Sequence, residues 1–200
     1  MTTERWAIDT AHSSVDFVAR HMMVSKIRGT FTDWRGAIDV DLEDPTLSSV
    51  TATINVASIE TRDKKRDGHL LSADFFDVAL YPTITFKSRR VEIEGTNVRV
   101  TGDLSIRNVV KDIVLDVQFN GMNLDPWGNK RIHYSAKIVL NRKEFGLGWN
   151  QVIETGGVLI GENVDIEIEV EALRAVVPAT QAVETKPVAE TAVTAAAAQN

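Results

Sequence analysis

The chain has 200 residues and no cysteine, which predicts one domain and excludes disulfides, thiolate metal sites and cysteine nucleophiles. Its 22 basic and 28 acidic residues give a net charge of −6, and an acidic surface disfavours nucleic acid as a partner. Apolar residues make up 44% of the chain, enough for a sizeable core. The chain has no apolar run of the length of a signal peptide or a membrane helix. We therefore expect a cytoplasmic protein with no membrane-spanning segment, or a periplasmic or secreted one if a leader has been removed.

The first 173 residues repeatedly alternate apolar and polar residues, the period-2 pattern that is typical of strands. Eight segments carry the pattern, at residues 15–19, 28–41, 50–56, 84–86, 98–106, 113–119, 132–140 and 164–170. Strict alternation favours an all-β, antiparallel sheet with one apolar face. Eight such strands can close a lipocalin-like barrel around a small ligand, although a two-sheet sandwich would give the same alternation.

Two segments depart from this alternation. Within residues 61–82, Leu70, Leu71, Phe75 and Phe76 recur at spacings that predict a short helical insertion between strands. After residue 173 the composition shifts to Ala, Val, Thr, Glu and Pro without any aromatic residue. Residues 174–200 are therefore predicted to form a disordered tail, and residues 1–173 to form the barrel domain.

The stretch AHSSVDFVARHMM carries two histidines, His12 and His21, that could be taken for a catalytic or metal-binding pair. Nine positions separate them, so a straight strand places them on opposite faces and too far apart to share an ion. His21 has the parity of the apolar residues and is expected at the end of the inner face, whereas His12 is expected to cap the strand. A metal site would require His21 to meet His69 through the fold.

No pattern typical of an enzyme stands out. The sequence contains no GxSxG motif, and GVLIG at 157–161 lacks the lysine of a phosphate-binding loop. The acidic residues that alternate with apolar ones are predicted to form the solvated faces of strands, and they include Asp39, Asp41, Glu167 and Glu169. We therefore predict a protein that is not an enzyme and has no catalytic residue, metal site or cofactor.

The apolar inner faces instead predict a hollow barrel that binds an elongated lipid. Each buried methylene contributes about 0.8 kcal/mol, so a long chain can bind tightly without special chemistry. The residues predicted to contact the lipid tail are Phe17, Phe31, Phe75, Phe86, Phe119 and Ile138. The residues predicted to contact the polar head are His21, Arg66, His69, Arg142 and Asn150. For Arg142, the alternative is a salt bridge at the end of the barrel.

Four stretches of the sequence resemble the YceI-like family, in the family's order and spacing. They are HSSVDFVARHMMVSKIRGTF, RDGHLLSADFFDVALYPTITFKS, GDLSIRNVVKDIVLDVQFNG and NRKEFGLGWN. The resemblance covers roughly residues 5–173. It implies an extended eight-stranded antiparallel barrel with a helical insertion, a polyisoprenoid or other long-chain amphiphile in an elongated tunnel, and often a homodimer. The chain departs from the family pattern at Asn108, Val110 and His133.

Three functions stay open from the sequence, and the first is the prediction. It is the non-catalytic binding of an isoprenoid or long-chain lipid for carriage, storage or sensing. The second is a metal- or histidine-dependent enzyme that acts on a lipid-like substrate. The third is a structural, stress-related barrel whose interior is filled by its own side chains.

Overall fold

The structure is a computed structural model, and it describes residues 3–22, 24–152 and 158–174. The predicted tail, residues 174–200, lies outside the described residues except for Arg174. The described chain folds into a sheet of eleven strands with one short α-helix, α1 (Lys64–Leu71). The strands are β1 (Thr3–Ile8), β2 (Ser14–His21), β3 (Ser25–Phe31), β4 (Trp34–Asp41), β5 (Ser49–Asn55), β6 (Ile59–Glu60), β7 (Thr83–Glu94), β8 (Asn97–Ile106), β9 (Val109–Leu124), β10 (Lys130–Asn141) and β11 (Ile160–Arg174).

The eleven strands make up eight chain segments, because three segments are interrupted. The first interrupted segment consists of β1 and β2, which both pair with β11. The second consists of β3, which pairs with β2, and β4, which pairs with β1. The third consists of β5, which pairs with β4, and β6, which pairs with β3. β7 to β11 then follow as antiparallel neighbours in chain order. The pairing of β1 with β11 closes the sheet into an eight-stranded antiparallel barrel. The predicted barrel is confirmed, and the two-sheet sandwich is excluded.

The segment predicted as a single strand over residues 28–41 is two strands, so this prediction is wrong in detail. The chain bends at Thr32 and Asp33 between β3 and β4, which together form one segment of the barrel. Asn55 holds this turn, because its backbone N–H donates to the Asp33 carbonyl at 2.9 Å and its side-chain amide donates to the Asp33 carboxylate at 2.8 Å. β1 has no counterpart in the sequence prediction, since its apolar residues Trp6, Ala7 and Ile8 are consecutive and do not alternate with polar ones.

Alternate residues of the long strands point into the barrel, as the period-2 pattern predicts. On β9, Ile113, Leu115 and Val117 line the interior, whereas Asp112 and Asp116 are exposed. One end of the barrel is filled by a small buried cluster of Trp6, Ile132 and Ala172. Apolar side chains therefore face one another across the barrel along most of its length.

Asp41 differs from the solvated acidic residue that the sequence predicts. It lies at the end of β4, and it is only 3% exposed. Its carboxylate accepts the backbone N–H groups of Glu43 and Asp44, both at 2.9 Å. The side chain therefore closes the turn after the strand, and these bonds lower the pKa of Asp41.

The helical insertion covers the other end of the barrel. Asp63 begins α1, because its carboxylate accepts the backbone N–H groups of Lys65 and Arg66. After α1 the chain turns back, and the backbone N–H of Phe76 donates to the carbonyl of Leu70 at 2.9 Å. This turn places Phe75 and Phe76 against the core of the barrel. No helix in the described part of the chain is long and apolar enough to cross a membrane.

Candidate ligand-binding site

The barrel encloses a cavity of about 890 Å³. Every one of the eleven strands contributes to its wall, and most of the contributing side chains are apolar. The volume falls within the range of about 300–1,000 Å³ that is usual for small-molecule sites. Representative lining residues are Ile8, Ile38, Ile54, Leu104, Leu115 and Ile166. The interior is therefore not filled by its own side chains, which argues against the purely structural barrel.

Five of the six residues predicted to contact a lipid tail line this cavity. They are Phe17, Phe31, Phe75, Phe86 and Ile138. The structure does not place Phe119 in the wall, although it shares the parity of the lining residues of β9. Its ring instead packs against Tyr134, with 5.4 Å between the ring centroids, and Tyr134 lines the cavity.

A bulge in β9 follows Phe119, at Asn120, so Phe119 keeps the face of its partner Tyr134. The register of β9 against β10 shifts between His133 and Tyr134, so that Tyr134 pairs with Phe119 and His133 pairs with Gly121. A bulge inserts an extra residue into one strand and redirects the side chains next to it. Alternation in the sequence gives no sign of it.

The ring of Phe17 lies over Gly29, which has no side chain to displace it. It pairs with Gly29 of β3, and a Cβ atom on Gly29 would lie 2.2 Å from Cζ of the Phe17 ring. The ring therefore occupies the space above this glycine. It also contacts Phe31, with 5.7 Å between the ring centroids.

The charged residues of the lining lie at the end of the barrel that α1 covers. β2 contributes Arg20 and His21, and the segment around the start of α1 contributes Asp63, Lys65 and Arg66. Basic groups outnumber acidic ones here. Within the described residues, no hydrogen bond or close ion pair is found for the side chains of Arg20, His21 and Lys65, and Lys65 interacts electrostatically with Asp63. These groups are available to a ligand.

The model of the YceI-like domain matches residues 6–172. The chain belongs to the YceI-like family. A UPF0312 protein of Staphylococcus aureus strain N315 is 37% identical over 169 residues, which span 83% of this chain and 95% of that protein. The structure of the Campylobacter jejuni YCEI protein is 30% identical, with a TM-score of 0.68 over 78% of this chain and 90% of its own. A polyisoprenoid binding domain from Saccharophagus degradans shares the fold, at 17% identity and a TM-score of 0.61 over 85% of this chain and 98% of its own.

Arg66 and His69 line the cavity of this YceI-like barrel, and both are held by the insertion itself. Arg66 donates from Nε to the Thr61 hydroxyl and from Nη2 to the Thr61 carbonyl, both at 2.6 Å. His69 bonds through Nε2 to the Asp74 carboxylate at 2.8 Å. Its ring packs edge-on against Trp149, with 4.6 Å between the ring centroids. The two side chains fix the insertion over the end of the barrel, and their contact with a ligand stays a prediction.

Arg142 lines the cavity and is bonded to the backbone rather than to an acid. It is 5% exposed, and its guanidinium donates to the carbonyls of Leu147, Trp149, Ile160 and Gly161. Burial lowers the pKa of Arg142. The side chain therefore ties the loop after β10 to the start of β11.

Asn150 has a similar structural role, and it is not part of the cavity wall. Its side-chain amide donates to the carbonyl of Ile160 at 2.7 Å, and its side-chain oxygen accepts the backbone N–H of Ile160 at 3.0 Å. Both polar atoms of the amide are thus engaged by one residue of β11. The role predicted for Asn150 at a lipid head stays a prediction.

The two histidines of the AHSSVDFVARHMM stretch are separated in the way that strand parity predicts. His21 lines the cavity at the end of β2, whereas His12 is exposed in the turn that precedes β2. In the described part of the chain, one group of three potential metal ligands is found, and neither His21 nor His69 belongs to it. Among the described residues, His21 and His69 are thus not brought together with a third potential ligand.

Proposed function

We propose that this protein binds a polyisoprenoid or similar long-chain amphiphile in its barrel, for carriage, storage or sensing, without catalysing a reaction on it. The observation that carries the proposal is the continuous apolar cavity of about 890 Å³. The shared fold with the polyisoprenoid binding domain from Saccharophagus degradans supports this class of ligand. Burial of the tail supplies the affinity, at about 0.8 kcal/mol for each methylene.

The charges of the lining favour one orientation of the ligand. The tail lies between β2, β7 and β10, against residues such as Phe17, Phe86 and Ile138. The head lies at the end that α1 covers, where Arg20 and Lys65 favour a polar or anionic group. A non-catalytic role is supported by the engagement of nearby polar groups, since Arg66, His69 and Arg142 are already bonded within the protein.

The test is native mass spectrometry of the protein purified from cells, followed by extraction with organic solvent and identification of the extract. We expect a non-covalent mass that extraction removes and that proves to be a long-chain amphiphile. Ala136 lines the cavity on β10, and Ala136→Trp should obstruct it and abolish the extra mass. Lys137→Trp is the matched control, since Lys137 is the next residue and is exposed on the outer face.

The proposal is wrong if the purified protein carries no amphiphile and if an added long-chain isoprenoid alcohol does not raise the Tm. Retention of the mass by a folded Ala136→Trp variant would also contradict it, because the ligand would then lie elsewhere. Circular dichroism establishes that the variant is folded.

Cytoplasmic location and a homodimer also belong to this proposal. Both come from the sequence, the second from the resemblance to the family. A dimer is compatible with a ligand that is carried inside each barrel, since the cavity is formed by the strands of one chain. Cell fractionation and light scattering test the two predictions.

A further inference from the structure

The wall of the lipid cavity reaches solvent at both ends of the barrel. Among the described residues, the side chains that belong to the wall and are also exposed mark these places. At the end that α1 covers they are Arg20, Asp63 and Lys65. At the opposite end they are Pro45 and Ile93. The two ends differ in the charges that surround them.

The end that α1 covers is basic, although the chain as a whole is acidic. Its rim is formed by residues 20–28, from the hairpin of β2 and β3, and by residues 60–67, from the start of the insertion. These two segments contain seven Lys and Arg residues against three Asp and Glu residues, a net charge of +4 in a chain of −6. β3 joins the two segments, because it pairs with β2 on one side and with β6 on the other.

Most of the basic side chains of this rim are exposed and available to a partner. For five of them, no hydrogen bond or close ion pair is found within the described residues. They are Arg20, Lys26, Arg28, Arg62 and Lys64. Two of the three acidic side chains are engaged, since Asp63 caps α1 and Asp67 accepts the backbone N–H of Thr61 at 2.9 Å. The rim therefore presents positive charge to its surroundings.

Exposed apolar side chains stand next to this basic rim. Met22 and Val24, at the tip of the hairpin of β2 and β3, are 46% and 82% exposed, and Val152 is 84% exposed. Backbone bonds hold these residues side by side, because the N–H of Met22 donates to the carbonyl of Leu159 at 2.8 Å and the N–H of Leu159 donates to the carbonyl of Gln151 at 2.9 Å. Apolar side chains flanked by basic ones are typical of a surface that lies on a membrane.

The opposite end of the barrel has the reverse charge. Pro45 follows two acidic residues, and Ile93 lies between two more. They are Glu43, Asp44, Glu92 and Glu94. Leu47 is 58% exposed at this end, so apolar exposure alone does not distinguish the two ends. The charges do, because an anionic surface attracts the basic end and repels the acidic one.

We propose that the basic end of the barrel docks on the surface of a membrane that contains anionic phospholipids. Each Lys or Arg close to such a surface contributes about fivefold to the affinity. The tip with Met22 and Val24 adds the burial of apolar side chains among the lipids. Lys65 belongs both to the rim and to the cavity wall, so the docked barrel opens towards the lipid. An amphiphile then passes between bilayer and cavity without crossing water, a use that rests on the proposed function.

The test is co-sedimentation of the full chain with vesicles made of phosphatidylglycerol and phosphatidylcholine in equal parts, or of phosphatidylcholine alone. We expect binding to the anionic vesicles that weakens as salt is added. Lys26→Glu combined with Lys64→Glu should weaken this binding at least about tenfold. Lys87→Glu combined with Lys130→Glu is the matched control, with the same net charge at exposed positions away from the rim, and it should bind within about twofold of the wild type.

Two further variants test the apolar tip and separate docking from ligand binding. Val24→Asp should weaken vesicle binding at least about fivefold, whereas Leu47→Asp at the opposite end should not. Ala136→Trp, which obstructs the cavity, should bind the vesicles as the wild type does, so a failure of the proposed function leaves this result unchanged.

Three results would each overturn the docking proposal. The first is absence of binding to the anionic vesicles, which would leave an acidic protein as the partner of the rim. The second is equal binding to both kinds of vesicle. The third is an equal loss of binding in the two charge-reversed pairs, because the net charge of the chain rather than the rim would then control it. Circular dichroism establishes that each variant is folded.

Discussion

Arg142 is a buried charge whose hydrogen-bond acceptors in the described structure are backbone carbonyls. Four carbonyls from the loop after β10 and from β11 converge on its guanidinium. A planar group with five donors can satisfy several acceptors at once, which a lysine cannot do. The sequence places a positive charge at this end of the barrel, and the structure uses that charge to hold the loop.

Replacing Arg142 with leucine should destabilise the protein by about 3 kcal/mol. The variant removes the donor to four backbone carbonyls, and these carbonyls are buried or partly buried. They belong to Leu147, Trp149, Ile160 and Gly161. Urea denaturation measures the change in the free energy of unfolding. Lys143→Ala is the control, because Lys143 makes an exposed ion pair with Glu162, and such pairs contribute at most about 1 kcal/mol. Equal stability of Arg142→Leu and the wild type would refute this role.

Gly29→Ala should destabilise the protein by about 1–3 kcal/mol, because a methyl group at this position collides with the ring of Phe17. The ring has to rotate into the cavity, so the capacity for ligand should fall as well. Gly68→Ala in α1 is the matched control, since nothing lies within 4 Å of its added Cβ. That substitution should stabilise the protein by about 0.5–1 kcal/mol. If both variants shift the free energy of unfolding in the same direction, the close contact between Gly29 and Phe17 does not determine the effect of the substitution.

The turn of the β9–β10 hairpin depends on the carboxylate of Asp125. Asp125 accepts the backbone N–H groups of Trp127 and Asn129, the side-chain amide of Asn129 and the guanidinium of Arg131. These bonds, above all the one from the side chain of Asn129, lower the pKa of Asp125 to about 2. The carboxylate holds the turn of the hairpin, and its bond to Arg131 links that turn to β11.

This hairpin should lose stability as the solution becomes acidic. The pKa of Asp125 is lower in the folded protein than its ordinary value of 3.8, so its contribution is fully present above about pH 4 and is lost as the pH falls towards 2. Asp125→Asn should therefore have a lower Tm than the wild type at pH 7, and the difference should shrink below about pH 4. Asp116→Asn, at an exposed position of β9, is the control. A Tm difference that stays constant down to the lowest pH would show that ionisation of Asp125 does not stabilise the turn.

At the scale of the whole molecule, the sequence is most informative where the structure is local and repetitive. Alternation identifies the inner faces of long strands such as β9 and β11, because side chains change face at every residue. Register and bulges depend on contacts between distant segments, so the bulge that follows Phe119 could not be predicted. The same limit hides the pairing of His133 with Glu171 and the approach of His12 to Glu171.

The sequence predicts those residues of the candidate site whose position follows from the alternation of a strand. Phe17 and His21 lie on the inner face because their parity on β2 places them there. The partners of Arg142 and Asn150 are backbone groups, and backbone groups leave no mark in a sequence. Sequence reasoning therefore finds the charged residues at the end of the barrel but cannot tell which are free. In the described structure no side-chain partner is found for Arg20, whereas Lys65 interacts electrostatically with Asp63, and nothing in their sequence context distinguished them.

The central claim is that the affinity of this protein comes from a tail buried in the barrel. Isothermal titration of the delipidated protein with geraniol, farnesol and geranylgeraniol tests it directly, because these alcohols share a head and differ only in the length of the tail. We predict that the Kd decreases with each longer alcohol. The decrease should be at most roughly fourfold for each additional methylene that is fully buried. Ala136→Trp should remove this dependence on length, and Lys137→Trp should preserve it. A Kd that does not change with the length of the tail would contradict the claim.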